Sequence, residues 1–282
     1  MDTELARTFL AVIATGSFVD ASQRLHITQS TVSSRIQRLE EQLGTELFVR
    51  NKAGTTLTPA GRQFQRHAAL LTRTVEQARQ EIGIVSGYRA TLTIGCRIGL
   101  WEGLVLRWLP IFAKLAPDVA VRGITGLEDD LMDALIEGRA QIGVMYTPQS
   151  RPGLTVEPLL DERLVMVSTR PKPPSEPKSD YVYVDWGPEF FAQHSLAFPN
   201  FSGAALTVDI GWLGLQRILT SGGSGYFPLR LVREHELEGR LHLVADAPEF
   251  RLPAYLCYPT KSDSESLALA LDTIRRVAAD MA

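Results

Sequence analysis

Residues 17–43 read SFVDASQRLHITQSTVSSRIQRLEEQL, and this stretch decides the fold of the N-terminal part of the chain. Ser17 and Thr28 each precede an apolar run with helical spacing, which is where a helix N-cap stands. Gly44 follows the second run and can end the second helix. We therefore predict two helices joined by a short turn before Thr28, an arrangement that is typical of a helix-turn-helix.

The exposed face of the second predicted helix carries short hydroxyl side chains together with Gln and Arg. Ser and Thr are mediocre helix formers, so four of them at positions 30, 31, 33 and 34 are out of place on an ordinary solvated surface, which is the alternative interpretation. Such side chains can bind phosphates and contact base edges. The predicted DNA contacts on the two helices are Ser17, Thr28, Gln29, Ser30, Thr31, Ser33, Ser34, Arg35 and Arg38.

Two short extended segments around the polar turn 51–54 predict a small hairpin. Arg50 and Lys52 stand near its tip, where a wing beside a recognition helix can contact the DNA backbone or the minor groove. We therefore predict these two residues as further DNA contacts.

A long helix is predicted from Pro59 to about residue 86, with Thr58 as its N-cap and proline at the first helical position. At 1.5 Å per residue it would be about 40 Å long. Its apolar positions are spaced nearly as in a heptad repeat, which favours packing against a second copy of the chain over packing on the chain's own body. The predicted dimerisation residues are Phe64, Ala68, Leu71, Val75, Ala78 and Ile82.

The remainder of the chain alternates between predicted strands and helices. Strands at 91–95, 119–125 and 141–145 are separated by helices at about 100–115 and 128–137, which predicts a parallel sheet with helices on both faces. A strand at 164–168 leads into a second α/β segment. A late strand at 254–258 and a terminal helix at 264–281 suggest that the chain returns to the first lobe.

Ligands of an open α/β sheet bind beyond the carboxyl ends of its strands. Arg97 could pair with a carboxylate or phosphate there, and the alternative interpretation, which the sequence favours slightly, is a solvent-facing arginine or an internal ion pair. Cys96 is either a redox sensor or a small core residue. Residues 222–225 form either an anion-binding loop or a flexible turn. The candidate effector-binding residues are Cys96, Arg97, Ile98, Gly99, Trp101, Thr125, Gly126, Tyr146, Thr147, Trp186, Ser202 and Gly225.

Composition excludes several classes of protein. Of the 282 residues, 45% are hydrophobic, which excludes global disorder, and two cysteines cannot form a disulfide framework or a four-thiolate zinc site. Residues 1–90 hold 11 Lys and Arg against 8 Asp and Glu, whereas residues 91–282 hold 18 against 24. A basic module joined to an acidic body suggests a nucleic-acid-binding module, and the alternative is that the surface charge is uneven by chance.

The sequence gives little support for catalysis. No metalloprotease, nucleophile-elbow or dinucleotide-binding signature occurs, so we expect no enzyme activity, no metal and no cofactor. We also expect a soluble cytoplasmic protein, because neither a signal peptide nor an apolar span is present. The rival interpretation is a small-molecule binding protein or enzyme whose N-terminal helices only oligomerise.

Residues 9–50, with FLAV, GSF and ASQRLHITQSTVSSRIQRLEEQLGTELFVR, and residues 56–61, TLTPAG, resemble the N-terminal signature of LysR-type transcriptional regulators. Residues 100–102 and 186–190 resemble the branch that contains the H-NS-dependent flagellar regulator. The resemblance implies an α/β protein overall, with a winged helix-turn-helix, a long linker helix and a two-subdomain α/β effector-binding domain of periplasmic-binding-protein type.

The resemblance also implies a domain division and partners. The DNA-binding domain is expected at 1–58, with its helix-turn-helix at 18–37, and the dimerisation helix at 59–88. The effector-binding domain is expected at 89–282, with subdomain I at about 89–162 and 259–282 and subdomain II at about 163–258. The implied partners are double-stranded promoter DNA, further copies of the chain in a homodimer or homotetramer, a small-molecule effector and RNA polymerase.

Overall fold

The structure is a computed structural model that describes residues 2–51, 54–82 and 87–281, without the side chains of residues 50, 51, 54, 77 and 79–81. Lys52 and the side chain of Arg50 therefore lie outside the described residues. Among the described residues, no single helix is long and apolar enough to cross a membrane. The first two helices meet that criterion only as a pair, and they are bent by 118°.

The first domain is a three-helix cluster with a hairpin. Its elements are α1 (Thr3–Thr15), α2 (Phe18–Arg24), α3 (Gln29–Leu43), β1 (Phe48–Asn51) and β2 (Gly54–Leu57). The predicted caps are confirmed, because the Ser17 side chain accepts from the amides of Val19 and Asp20 and the Thr28 side chain accepts from that of Thr31. The two antiparallel strands form the wing, and Thr55 N donates to Gly16 O at 3.2 Å, which fixes the wing beside the α1–α2 turn.

The core of this domain is aromatic and includes the start of the long helix α4 (Pro59–Ile82). The ring of Phe9 lies 5.1 Å from the rings of both Phe48 and Phe64. Ala68, one turn further along α4, is completely buried in the same cluster. The first half of α4 is therefore an integral part of the core of the N-terminal domain.

The second domain is built on a seven-stranded mixed sheet. The first part of this domain contains β3 (Ala90–Cys96), α5 (Ile98–Leu100), α6 (Leu106–Leu115), β4 (Val119–Thr125), α7 (Glu128–Ile136) and β5 (Ile142–Met145). β3 pairs in parallel with β4 and with β5, as predicted. The parallel arrangement predicted for the strands of residues 91–145 is confirmed, and the sheet continues with β6 (Leu154–Ser168) and β11 (Phe250–Pro259), which are antiparallel to each other and pair at ten positions.

These two long strands connect the two lobes of the domain. The strand predicted at 164–168 is only the last third of β6, which pairs with β11 along its length and with β9 and β10 of the second lobe at its end. β11 runs back in the opposite direction and pairs with β5. The sheet order is β10-β6-β11-β5-β3-β4, with β9 also paired to β6.

The second lobe contains a small parallel pair of strands and three helices. Its elements are β7 (Val182–Val184), α8 (Pro188–Ala197), β8 (Leu206–Val208), α9 (Gly211–Ser221), β9 (Ser224–Pro228), α10 (Leu229–Leu237) and β10 (His242–Leu243). The final helix α11 (Glu265–Ala279) returns to the first lobe. There, the buried Trp108 Nε1 of α6 donates to Thr273 Oγ1 at 2.8 Å.

The helix predicted from 100 to 115 is not continuous. A kink within Trp101–Val105 interrupts it, where Glu102 has ψ 128° and Gly103 has φ 81°, both outside the helical range. Glycine tolerates that positive φ, and the kink rotates the carbonyl of Glu102 out of the helical hydrogen-bond pattern. This break matters for the cleft between the lobes, as described below.

His194 lies in the aromatic core of the second lobe, among the rings of Tyr181, Phe190 and Phe198. The residue is 1% exposed, its Nε2 lies 3.0 Å from Tyr181 Oη, and burial lowers its pKa to about 4. Because an unfolded histidine titrates near pH 6.5, the unfolded state binds a proton that the folded state does not accept until about pH 4. Stability should therefore fall as the pH falls through this window, by about 3 kcal/mol.

We expect His194→Gln to remove this dependence. The measurement is urea unfolding between pH 7 and pH 4, followed by tryptophan fluorescence, because all four tryptophans lie in residues 101–212. The comparison concerns the change of unfolding free energy with pH and not its absolute value. An equal pH dependence in the variant and the native chain would contradict the assignment.

Candidate nucleic-acid interface and interdomain cleft

The N-terminal end of α3 presents a connected group of hydroxyls. Thr28 Oγ1 lies 2.9 Å from Ser30 Oγ and 2.8 Å from Thr31 Oγ1, and it also accepts from the Thr31 amide. The free amides at the first turn of a helix carry partial positive charge, which favours an anion such as a phosphate. This end of α3 can therefore bind a phosphate through both amides and hydroxyls.

The two faces of α3 differ sharply. Val32, Ile36 and Leu39 are completely buried against α1 and α2, and this fixes the rotation of the helix about its axis. The opposite face is exposed and polar, and it consists of Gln29, Ser30, Ser34, Gln37 and Arg38. Thr31 and Ser33 lie at its margins and are partly exposed. A polar face held outward by a buried opposite face has the geometry of a recognition helix.

Arg35 has partners within the domain. Its Nη1 lies 3.1 Å from Glu4 Oε2 and 3.3 Å from Thr8 Oγ1 on α1. The internal ion pair means that a phosphate would compete with Glu4 for this guanidinium. Arg38, on the exposed face, is the more accessible arginine of α3.

The apolar stripe of α4 divides into two parts. Phe64 and Ala68 are buried in the core of the DNA-binding domain, and Leu71 packs against that core. The assignment of Phe64 and Ala68 to an open dimer seam is thereby corrected, since α1 of the same chain covers them. Val75 is half-buried, Ala78 is exposed, and Ile82 is 88% exposed, so these three remain open to a partner.

The cleft lies between the carboxyl ends of β3 and β5 and the second lobe. Arg97, directly after β3, is 8% exposed, and its Nη2 donates to the backbone oxygen of Asp209 at 2.9 Å. Its Nε lies 3.4 Å from Glu128 Oε1 of α7. Arg97 therefore connects the two lobes. It also takes part in an internal ion pair, which is one of the alternatives that the sequence left open for this residue.

A second arginine crosses the cleft from α10. Arg230 donates Nε to Glu162 Oε2 at 2.7 Å, and it donates Nη2 to Glu162 Oε1 at 2.8 Å and to Gly99 O at 2.6 Å. Its Nη1 donates to the carbonyl of Glu102, which the kink at Glu102 and Gly103 leaves outside the helical hydrogen-bond pattern. Glu162 stands on β6, and its side chain is 2% exposed. The guanidinium thus joins both lobes at the connecting strand.

Tyr146 completes this buried cluster. Its hydroxyl donates to Glu162 Oε1 at 2.9 Å. Burial, and then the charge of Glu162, raise the pKa of Tyr146 well above its usual value. Burial alone would lower the pKa of Arg230, but the charge of Glu162 outweighs it and the pKa rises. At neutral pH the cluster therefore contains an ionised arginine and a neutral tyrosine.

Aromatic rings fill the centre of the cleft. Trp186 is 5% exposed, its Nε1 donates to Tyr226 O at 3.0 Å, and its ring stands edge-on to Tyr146. A Cβ on Gly211 would lie 2.1 Å from the Trp186 ring, so only glycine fits at the start of α9. Trp186 is therefore fixed within the second lobe, and its ring contacts Tyr146 of the first lobe.

The predicted effector residues differ in their exposure. Ile98, Thr125, Thr147 and Ser202 are exposed, Trp101 and Gly126 are partly exposed, and Cys96, Arg97, Gly99, Tyr146, Trp186 and Gly225 are buried. Thr147 lies across the cleft from Gly187, where a Cβ would approach Thr147 Cγ2 to 3.5 Å.

Three of these residues pack against other parts of the structure and not into the cleft. Gly225 lies within β9, where a Cβ would stand 2.9 Å from the Phe227 ring, and it therefore belongs to the core of the second lobe. The ring of Trp101 covers Gly123 of β4. Burial raises the pKa of the Cys96 thiol well above its usual value, so this cysteine is a protonated core residue and not an activated thiol.

Sequence reasoning missed Arg230, Glu162 and Glu128. One signal was present for Arg230, because a cation in the first turn of a helix opposes the helix dipole and needs a compensating partner. Glu162 and Glu128 stand in ordinary charged runs, and nothing local distinguishes them from surface residues.

Comparison with known proteins agrees with this architecture. The model of the family described as "Bacterial regulatory helix-turn-helix protein, lysR family" matches residues 3–62, and that of the "LysR substrate binding domain" matches residues 86–178. The HTH-type transcriptional regulator HdfR of Yersinia pestis (strain Pestoides F) is 30% identical over 278 residues, which cover 95% of this chain and 94% of that protein. HdfR of Yersinia pseudotuberculosis serotype O:1b (strain IP 31758) matches equally well.

Solved structures of full-length regulators share the fold. ArgP from Mycobacterium tuberculosis has a TM-score of 0.56 and 25% identity, covering 99% of this chain and 97% of its own. LysG from Corynebacterium glutamicum, solved with bound effector Arg, has a TM-score of 0.57 and 22% identity, covering 99% of each chain. The order of a helix-turn-helix, a long helix and a two-lobed α/β domain is therefore common to all three proteins.

Proposed function

Because this chain belongs to the LysR family of bacterial transcriptional regulators, in the HdfR branch, we propose that α3 is its recognition helix and that the exposed polar face of α3 enters the major groove. The main observation in support of this proposal is that Val32, Ile36 and Leu39 are buried, so the hydroxyl-rich face of α3 points outward. The proposed DNA contacts on the exposed face of α3 are Gln29, Ser30, Thr31, Ser33, Ser34 and Arg38. Ser17 and Thr28 would contact DNA at the N-termini of α2 and α3, and Arg50 and Lys52 would do so on the wing. Arg35 would contact DNA by giving up its ion pair with Glu4.

The effector-binding domain provides the proposed site for a small molecule between its lobes. Arg97, Gly99, Tyr146, Thr147 and Trp186 meet there. The internal pairs of Arg97 and Arg230 hold the lobes together, and a ligand that binds between them must replace those contacts to alter the angle between the lobes. The proposal includes no catalytic step, since Cys96 is a protonated core residue and His194 is buried among aromatic rings.

The C-terminal part of α4 carries the proposed contact between copies of the chain. We propose that Val75, Ala78 and Ile82 pack against a second chain in a homodimer or homotetramer, because an apolar side chain as exposed as Ile82 gains free energy on burial. The proposed units are residues 1–58, 59–88 and 89–282, with the lobes dividing near 162 and 258. A dimer presents two recognition helices to two half-sites. We propose promoter DNA and RNA polymerase as further partners and the cytoplasm as the site of action.

Salt dependence tests the DNA-binding function directly. We expect the full-length protein to bind fluorescent genomic double-stranded DNA fragments with an affinity that falls about 10³- to 10⁵-fold between 50 and 200 mM salt, as for about six to ten phosphate contacts. The measurement is fluorescence anisotropy across a salt series. Failure to bind even at 50 mM salt would contradict the proposal and favour a small-molecule binding protein whose N-terminal helices only oligomerise.

A further inference from the structure

Helix α7 carries a concentration of negative charge between the cleft and the DNA-binding domain. Glu128, Asp129 and Asp130 form its first turn, Asp133 follows one turn later, and Glu137 stands just beyond its end. At its N-terminal end, Glu128 Oε1 lies 3.4 Å from Arg97 Nε in the cleft. Asp129 instead faces Gln149, which donates to it at 3.1 Å. One end of α7 is therefore tied to the arginine that connects the two lobes.

The other end of α7 contacts the DNA-binding domain. Asp133 pairs with Arg24, in the last turn of α2, and the two side chains are 21% and 31% exposed. Beside this ion pair lies a cavity of about 250 Å³ that both domains line, with Leu10, Ile13 and Leu25 on one side and Ile136 and Pro152 on the other. α2 is the helix that directly precedes the recognition helix, so this contact bears on the position of α3.

Helix α4 packs against two turns of the effector-binding domain, at Gly138 just after α7 and at Gly153 just before β6. Gly138 and Gly153 have φ values of 79° and 81°, and Arg73 of α4 lies against both. A Cβ on Gly138 would stand 3.0 Å from Arg73 Cα, and one on Gly153 would stand 2.9 Å from Arg73 Nη2. Arg73 Nη1 donates to Gly153 O at 3.4 Å, and burial lowers the pKa of Arg73. The positive φ of both residues favours glycine, and the approach of Arg73 to both turns indicates a specific contact between α4 and the effector-binding domain.

We propose that α7 couples the interlobe cleft to the DNA-binding domain, with Glu128 binding Arg97 at one end and Asp133 binding Arg24 at the other. The inference rests on the proposed function, because it assigns a regulatory role to the cleft. A nine-residue helix is about 13 Å long and moves as a rigid body, so a change at Glu128 displaces Asp133. A ligand that takes Arg97 from Glu128 would thereby weaken the contact of Asp133 with α2 and release the DNA-binding domain.

Hydrogen exchange of the full-length protein, without DNA or effector, tests the docking contact. We expect Asp133→Asn to increase exchange of the α2 amides about two- to five-fold, as for the loss of one partly exposed ion pair. Asp129→Asn is the matched control, because it removes the same charge from the same helix at a position that faces Gln149. Equal exchange of α2 in the two variants would overturn the docking contact.

The cleft end of α7 is tested by Arg97→Gln and, independently, by Glu128→Gln. Coupling predicts faster exchange in α2 for both, whereas exchange altered only around Arg97 would overturn the proposal. The charge-reversed pair Arg24→Asp with Asp133→Arg should restore the exchange of the native chain, and a lack of restoration would also contradict it. Because no DNA is present, a negative result here leaves the DNA-binding proposal standing, and a failure of DNA binding leaves this measurement interpretable.

Discussion

We expect Ser34→Glu to weaken binding of the full-length protein to its selected DNA by about 100-fold or more. Ser34 is exposed on the face of α3 opposite the buried Val32, Ile36 and Leu39, so the substitution disturbs no core contact. Loss of a base or phosphate contact costs about 1–3 kcal/mol, and a carboxylate placed against phosphates adds electrostatic repulsion. The measurement is fluorescence anisotropy with a fragment that the native protein selects from genomic DNA.

Gln42→Glu is the matched control for this prediction. It adds the same charge to an exposed position of α3 two turns further along, beyond the proposed contact residues. The separation is about 12 Å at 1.5 Å per residue, which exceeds the Debye length of about 8 Å at physiological salt. Equal losses of affinity in the two variants would mean that general charge and not the N-terminal half of α3 determines binding.

We expect Arg230→Met to destabilise the effector-binding domain by about 3–5 kcal/mol. The substitution removes the partner of Glu162, whose side chain is 2% exposed, and leaves a buried carboxylate without its counter-charge. It also removes the donors to the carbonyls of Gly99 and Glu102, so the contacts that Arg230 makes between the lobes are lost with the ion pair, while that of Arg97 with Asp209 remains. Urea unfolding followed by tryptophan fluorescence measures the change, because all four tryptophans lie in residues 101–212.

Two further variants separate the buried ion pair from the effect of losing an arginine. Arg233→Met removes an exposed arginine from the same helix and should change stability by less than about 0.5 kcal/mol. The double variant Arg230→Met with Glu162→Gln should recover part of the loss, because it leaves no unpaired charge. An Arg230→Met protein as stable as the Arg233→Met protein would show that the cleft cluster does not hold the lobes together.

The N-terminal domain is predictable from the sequence because local signals determine it. Ser17 and Thr28 cap α2 and α3 as their positions predict, and Gly44 ends α3 in a left-handed conformation. The recurrence of apolar residues every three or four positions on α3 then determines which face of the helix points outward. These signals act within a few residues, so no long-range contact is needed to infer them.

The effector-binding domain is less predictable because its decisive contacts are distant in sequence. β6 extends through Pro158 and the charged run 161–163, which a local pattern interprets as a break, and its register with β11 shifts between Ala254 and Tyr255. Arg230 meets Gly99 across 131 positions of the sequence. The same limitation explains the correction on α4, since only the packing of α1 shows that Phe64 is already covered.

Selection of DNA by the purified protein tests the central claim most directly. Genomic fragments are incubated with the full-length chain, and the bound fraction is sequenced for the native protein, Ser34→Glu and Gln42→Glu. We predict that the native chain and Gln42→Glu enrich one dyad-symmetric sequence, whose half-sites are about one helical turn or a multiple of it apart, and that Ser34→Glu does not. Enrichment of the same sequence by Ser34→Glu, or of no sequence by the native chain, would contradict the assignment of α3 as the helix that recognises DNA.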